Sequence, residues 1–229
     1  MMLDIEEAMA QRHSVRSYTG EAISGTDRAA LEEEIARCNS EGNLHMSLVC
    51  DEPQAFDSML AHYGSFRGVR NYIVMAGVPL VDLDERAGYY GERVVLLAQR
   101  LGLNTCWVAL TFKKRHVRKL RAPGEKLVVV VAIGHGETAG KPHKSKSAVD
   151  VLCCAGGEAP EWFSRGVQAA LLAPTAVNQQ KFRFELCDAS ADKPVVCATT
   201  ASGPYAQVDL GITRLHFELG AGKANFVWG

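Results

Sequence analysis

No stretch of the 229-residue sequence approaches the roughly 20 consecutive apolar residues that a membrane-crossing helix requires. The opening residues, MMLDIEEAMAQ, are acidic and amphipathic instead of basic and then apolar, so they carry no secretory pattern. A cytoplasmic location without membrane contact is therefore expected. A surplus of positive charge is missing too, since 25 Lys and Arg face 26 Asp and Glu, a formal net charge of −1. That balance excludes a dedicated nucleic-acid surface and confines any cationic site to a small pocket.

Metal-type spacing is a further absence. The seven cysteines (Cys38, Cys50, Cys106, Cys153, Cys154, Cys187 and Cys197) form no C-x-x-C pair and no adjacent Cys/His set. Scattered among apolar neighbours, vicinal Cys153 and Cys154 included, they read as buried thiols with no metal. A dinucleotide-binding turn is lacking as well. In Gly134-x-Gly136-x-x-x-Gly140 the third glycine comes one place late, and Gly140-Lys141-Pro142 cannot open the helix that would hold a pyrophosphate.

What the sequence does have is the material of a core. With 47% apolar and 22% charged residues it reads as a packed protein of one large domain or two small ones. Helical spacing appears over 3–11, from the Ser24-x-x-Asp27 capping signal through Leu31 and Ile35, over 84–101 and 160–174, and over 207–221. A further helix is expected from near Pro53, and KKRHVRK (113–119) reads as a solvated helix face. Strand-like runs occupy 44–50, 71–77 and 103–110, the β-branched KLVVVVAIGHG, then KFRFELCD and PVVCATT. Trp107 is expected in the core, and His62, His116 and His216 as surface or packed side chains.

A Gly-, Pro-, Lys- and Ser-rich stretch reads as a connector, dividing the chain into 1–140, a connector at 141–159, and 160–229. Gly88, Val94 and Leu97 recur in the same spacing as Gly211, Phe217 and Gly220, which suggests a degenerate internal duplication.

Two strings carry candidate chemistry. RHSVRSY (12–18) alternates guanidinium groups with serines, and a phosphate takes paired donors from arginine while hydroxyl and backbone N–H groups complete its shell. The same string also suits a solvated helix end, and its residues alone leave both readings open. APTAVNQQKFRF (173–184) follows a helix stop, where Asn178 also suits a cap or turn.

Together these strings resemble the flavin-dependent nitroreductases, whose usual forms are R-R-S-x-R after the first helix and A-P-S-x-x-N-x-Q-P-W after a later one. LAQRLGLNTCWVAL (97–110) resembles the family's long core helix and following strand. The resemblance implies an α+β, nitroreductase-like fold with central, mostly antiparallel sheets flanked by helices. It departs from ordinary members in one respect. RCNSEGNLHMSL stands where the asparagine motif belongs in the first half, and GGEAPEWFSRGV lacks the arginine motif in the second. This complementary loss resembles the single-chain branch, in which two degenerate halves pack as an intramolecular pseudo-dimer and keep one FMN.

Carried over, the resemblance makes Arg12 and Ser14 the phosphate grip, with His13 replacing the usual second arginine, and brings Arg16 to the pyrimidine edge of the flavin. Pro174, Thr175 and Ala176 would line the ring, and Asn178, followed by Gln180, would hydrogen-bond it. Lys144 and Lys146 of HKSKS (143–147) resemble the late basic residues that close the phosphate site. The implied activity is FMN-dependent: NADH or NADPH gives a hydride to flavin N5, and a nitroaromatic or quinone-type small molecule removes the electrons. No protein residue is then expected to be catalytic in its own right. The alternatives are flavin binding without turnover and, on a related fold, dehalogenation or flavin breakdown. A monomer is expected, with a further homodimer open.

Overall fold

Side-chain caps open the first two helices. Asp4 accepts the Glu7 N–H at 2.8 Å to start α1 (Ile5–Gln11), and Ser24 accepts that of Asp27 at 3.0 Å to start α2 (Gly25–Gly42). The computed structural model describes residues 2–57, 64–154, 158–188 and 193–229. Of the helix expected near Pro53, the described part is a single 3₁₀ turn, Pro53–Ala55. Its continuation and His62 lie outside the described residues.

The strands β1 (Ser47–Val49), β2 (Asn71–Gly77), β3 (Asn104–Val108) and β4 (Lys126–Gly134) form one sheet in the order β1-β2-β4-β3, antiparallel throughout. β2 is buried along its whole length, as its unbroken apolar run requires of a central strand. One face of the sheet packs Ile73, Met75, Val129 and Val131 against α2 and against α3 (Leu83–Arg100). The other face packs Tyr72, Val74 and Val130 with Phe56, Phe66 and Phe112. The short helix α4 (Lys114–Val117) leaves Arg115 exposed and half-buries His116, near Glu52.

The second set comprises α5 (Ala148–Val151), β5 (Leu152–Cys154), α6 (Glu161–Ala170), β6 (Phe182–Asp188), β7 (Val195–Thr200), α7 (Ala206–Ala221) and β8 (Val227–Trp228). Its sheet runs β5-β6-β7-β8, antiparallel only at β6/β7. The outer pairs are parallel because α6 and α7 carry the chain across between their strands, as parallel neighbours demand. The stretch read as a connector therefore contains ordered elements. α5 is opened by a reciprocal capping box between Ser147 and Asp150 that the composition had masked. An aromatic core of Phe163, Phe184, Phe217 and Phe226 fills this half.

The cysteine reading needs correction at one pair. Cys187 and Cys197 form a disulfide, because a bulge after Leu186 brings their Cα atoms to 6.2 Å across β6/β7. Cys38 and Cys106 are buried thiols, while Cys50, Cys153 and Cys154 are half-buried.

The two sets meet where α3 crosses α7. A Cβ on Gly88 would lie 2.1 Å from the Val208 carbonyl oxygen, and one on Gly211 would lie 1.9 Å from that of Glu85. One offset of 123 positions relates both Gly88 to Gly211 and Glu85 to Val208, so the contact is reciprocal. Among the described residues no helix is long and apolar enough to cross a membrane.

Candidate functional site

Arg12 closes α1 by donating its backbone N–H to Ala8 O at 2.9 Å, and the chain then leaves as an irregular ribbon beside β3. Val15 N–H donates to Thr105 O at 3.0 Å and Thr19 N–H to His135 O at 2.9 Å. This path turns Arg12 inward. Its side chain is 2% exposed, with Nε 3.8 Å from Glu92 Oε1, and neither Nε nor Nη1 has a hydrogen-bond partner. Burial pulls its pKa below the usual arginine range, with Glu92 opposing the shift.

Arg12 lines a cavity of about 470 Å³ together with His13, Ser14, Arg16 and, from far along the chain, Pro174, Thr175 and Asn178. The two sequence strings thus converge within one chain. Gly140 lets its own loop close on the first string: its φ is +74°, and a Cβ there would meet His13 Cβ at 2.7 Å. Through Ser14, Arg16 and Thr175 the cavity adjoins a narrower one walled by Cys106, Ala176 and Asp209. Beyond it lies a third, of about 460 Å³, between Phe66, Trp107, Leu110 and Tyr205. Arg16 borders all three, its guanidinium 5.9 Å from the Phe66 ring centroid. Trp107, expected in the core, is only partly buried and forms part of this wall.

The asparagine loop is held under strain. Val177, Asn178 and Gln180 have φ of 47°, 55° and 44°, a conformation that costs a β-branched residue in particular. Asp209, at the start of α7, compensates by accepting the Ala176 N–H at 2.9 Å and Gln179 Nε2–H at 2.7 Å. Burial pushes the Asp209 carboxyl up to about 6 against the pull of those two donors. Gln180 is buried. It donates to Lys144 O at 2.9 Å and to Asn178 Oδ1 at 2.8 Å, and its own Oε1 accepts the Lys146 N–H at 2.8 Å.

Several expected roles change accordingly. Lys144 and Lys146 do not line the cavity, because the backbone of 144–146 is stitched to the asparagine loop. Lys144 contributes its carbonyl, and the Lys146 ammonium donates to Gln180 O at 2.7 Å. The basic groups that do line it are Lys141 and His143. Gln180 is a clamp within the loop, not a lining residue. Asn178 borders the cavity, with one amide N–H given to Lys144 O at 2.9 Å.

The sequence reading missed Asp209, Lys141, His143 and the acid beneath Arg12. Glu92 was legible in principle as a lone carboxylate on the apolar face of α3, one helical turn from Gly88 and Val95. It accepts the Trp107 indole N–H at 2.8 Å and faces Nε2 of His216 at 3.0 Å. His216 is fully buried, as a packed histidine.

A sequence profile of the family described as "Putative TM nitroreductase" matches residues 4–221. The chain belongs to this nitroreductase family. Its α+β architecture agrees with solved structures of similar fold. A "putative nitroreductase" from Thermotoga maritima is 21% identical with a TM-score of 0.66, the match covering 98% of this chain and 86% of that one. A "putative nitroreductase" from Desulfovibrio desulfuricans, solved in complex with FMN, is 17% identical at a TM-score of 0.54, covering 70% of this chain and all of that one. A "Putative NADH dehydrogenase/NAD(P)H nitroreductase" from Bacteroides thetaiotaomicron is 18% identical at 0.51, covering 64% and 95%. At these identities the likeness is one of fold. No curated protein matches the sequence.

Proposed function

We propose that this nitroreductase-family chain is an FMN-dependent oxidoreductase with one flavin site per chain, using NADH or NADPH to reduce nitroaromatic or quinone-type small molecules in the cytoplasm. One observation carries the reading: Arg12, a buried cation, and Asn178, 166 positions further along the chain, border a single cavity. A buried cation at the wall of a cavity that also carries Lys141 fits an anion such as the flavin phosphate. Arg12, Ser14, His13 and Lys141 are assigned to that phosphate. Arg16 is assigned to the ring edge, where a cation favours the reduced form. Pro174, Thr175 and Ala176 are assigned to the ring wall, and Asn178 retains an amide N–H and carbonyl capacity for a ligand. When bound, FMN supplies hydride acceptance and donation at its N5. The third cavity, bordered by Phe66 and Tyr205, leaves room for a flat reductant or acceptor beside Arg16. That open space favours turnover over mere flavin storage.

The proposed architecture is an intramolecular pseudo-dimer with the boundaries read from the sequence, active as a monomer and without nucleic-acid or membrane partners. The reciprocal Gly88/Gly211 contact supports it, as isologous contacts pair each patch with its own copy. So does the 123-position offset relating Asp209 to Arg86. Each ties down the loop after a preceding helix: Asp209 accepts from Ala176 N–H, and Arg86 donates to the carbonyls of Gly42 and Asn43.

The deciding experiment is the ultraviolet-visible spectrum of the purified protein, followed by anaerobic mixing with NADH and with NADPH. Flavin bands that bleach within seconds are expected. Bands that persist with both reductants overturn turnover, and a protein that neither carries nor takes up FMN overturns the cofactor assignment.

A further inference from the structure

The third cavity, at the end of β3 and against the loop that leads into α7, differs from its two neighbours in what borders it. Among the described residues at its walls none is acidic, and Arg16 is the one cation. Two of its rings have their polar handles committed elsewhere. The Trp107 indole N–H is given to Glu92 at 2.8 Å, and the Tyr205 hydroxyl donates to Ala109 O at 3.3 Å. Phe66, 3% exposed, forms a further wall. Besides the hydroxyls of Ser65 and Thr111, the polar side chain left to meet a ligand is Arg16. The result is a slot of about 460 Å³ with ring walls and one positive charge, a size that suits a compact small molecule.

The charge reaches this slot. Arg16 is exposed, and its guanidinium carbon lies 5.9 Å from the Phe66 ring centroid, within range of the ring face. Phe66 borders the third cavity and neither of the two that adjoin it. A guanidinium spreads five N–H donors over the edges of one plane, so contact with a flavin edge leaves donors for a second anion. Backbone strain gathers at the same place. Ser65, Val177 and Tyr205, from three distant segments, all border the cavity with φ of 62°, 47° and 58°. Such conformations are costly and cluster where a ligand is clamped. Leu110 and Val177, 59% and 95% exposed, stand as apolar lips at the mouth, where covering a ligand removes their surface from water.

We infer that the third cavity selects a flat aromatic electron acceptor bearing one anionic group, such as a carboxylate, with Arg16 taking the anion and Leu110 and Val177 as specificity-determining residues that cover the ring. The inference rests on reading the chain as a flavin-dependent reductase, and it narrows the acceptor class of that reading. An anion in a slot without carboxylates meets attraction and no repulsion, whereas a cationic aromatic meets Arg16 with nothing to offset it.

The test is binding of benzoate and of benzamide to the flavin-loaded protein at neutral pH, read from the change each causes in flavin absorption. The two are planar and of nearly equal size, and they differ in charge. Benzoate is expected to bind about tenfold tighter, the scale of one hydrogen-bonded charge. Leu110 borders this cavity and neither of its neighbours, and its exposure lets it be replaced without repacking a core. Leu110→Glu sets a carboxylate at the mouth and should erase most of the preference for benzoate, whereas Leu110→Gln, of the same size, should keep it. Val177→Gly removes a lip and releases strain, so it should weaken both ligands by a similar factor while raising the unfolding midpoint. A merely structural role for Val177 predicts the change of midpoint with no change in binding.

Arg16→Gln should bring benzoate down to the level of benzamide; if that variant sheds its flavin, the Leu110 pair decides. Benzamide binding as tightly as benzoate to the wild type overturns the proposal, as does a Leu110→Glu protein that keeps the wild-type ratio or a Val177→Gly protein that binds both ligands unchanged. A purified protein that takes up no flavin fails the cofactor reading, a result distinct from a flavin-loaded protein indifferent to the charge of its ligand, which fails this inference alone.

Discussion

Arg12 is held 3% exposed with two nitrogens unpartnered, an arrangement whose cost a bound anion offsets. Arg12→Ala is therefore expected to weaken FMN binding by about 2–4 kcal/mol, with Arg12→Lys restoring only part because a point charge replaces a fork of donors. A flavin titration that shows no change in affinity removes Arg12 from the site. Asp209 gives a second prediction at this scale. Its carboxyl is pushed up to about 6 by burial, so the folded protein keeps this proton at pH values where the unfolded chain has released it. Stability from this group is thus present at acid pH, declines as pH rises through roughly 4 to 6, and is lost above that. Asp209→Asn cannot titrate, and the wild type should lose about 2 kcal/mol relative to it across that window. Denaturant unfolding of both proteins at pH 4 and pH 7 measures the difference, and a constant gap between them refutes the assignment.

At the scale of elements, the crossing of α3 and α7 carries both fold and site, since Glu92 lies on one helix and Asp209 and His216 on the other. Alanine ordinarily favours a helix over glycine by up to about 1 kcal/mol. At Gly211 the added methyl would meet backbone carbonyl oxygen at 1.9 Å, and backbone cannot rotate away as a side chain can. Overpacking wins. Gly211→Ala should cost about 2 kcal/mol in denaturant unfolding and loosen FMN as well, because α7 also anchors the asparagine loop. Gly25→Ala, with nothing within 4 Å of the new methyl, is the control and should be neutral or slightly stabilising. Equal effects at the two glycines would show that the crossing is not tight.

For the whole molecule, a cleft assembled from residues 12–16 and 174–178 of one chain predicts one FMN per chain, retained on dilution. Sedimentation with simultaneous detection of protein and flavin checks this. A monomer with one flavin is expected, whereas flavin released in step with the dissociation of a dimer would place the site between chains. A homodimer that keeps its flavin on dissociating agrees with the proposal.

The sequence by itself determined the longer helices α1, α2, α3, α6 and α7, the buried strands β2 and β4, and the family. Caps such as Ser24, the period of α3 and the β-branched run of β4 act over a few residues, and RHSVRSY with APTAVNQ is a local signature. Hidden inside a polar stretch, α5 and β5 were not legible, because Leu152–Cys154 become a strand only by pairing in parallel with β6. Tertiary structure alone decided which groups face the cavity. It withdrew Lys144, Lys146 and Gln180 into a mutual hydrogen-bonded clamp and brought Lys141 and His143 forward. It also placed Glu92 and His216, 124 positions apart, against each other beneath Arg12. The physical reason is range: capping and periodicity are properties of neighbouring residues, whereas the protonation and reach of a buried charge depend on whichever distant groups the packing of two helices sets against it.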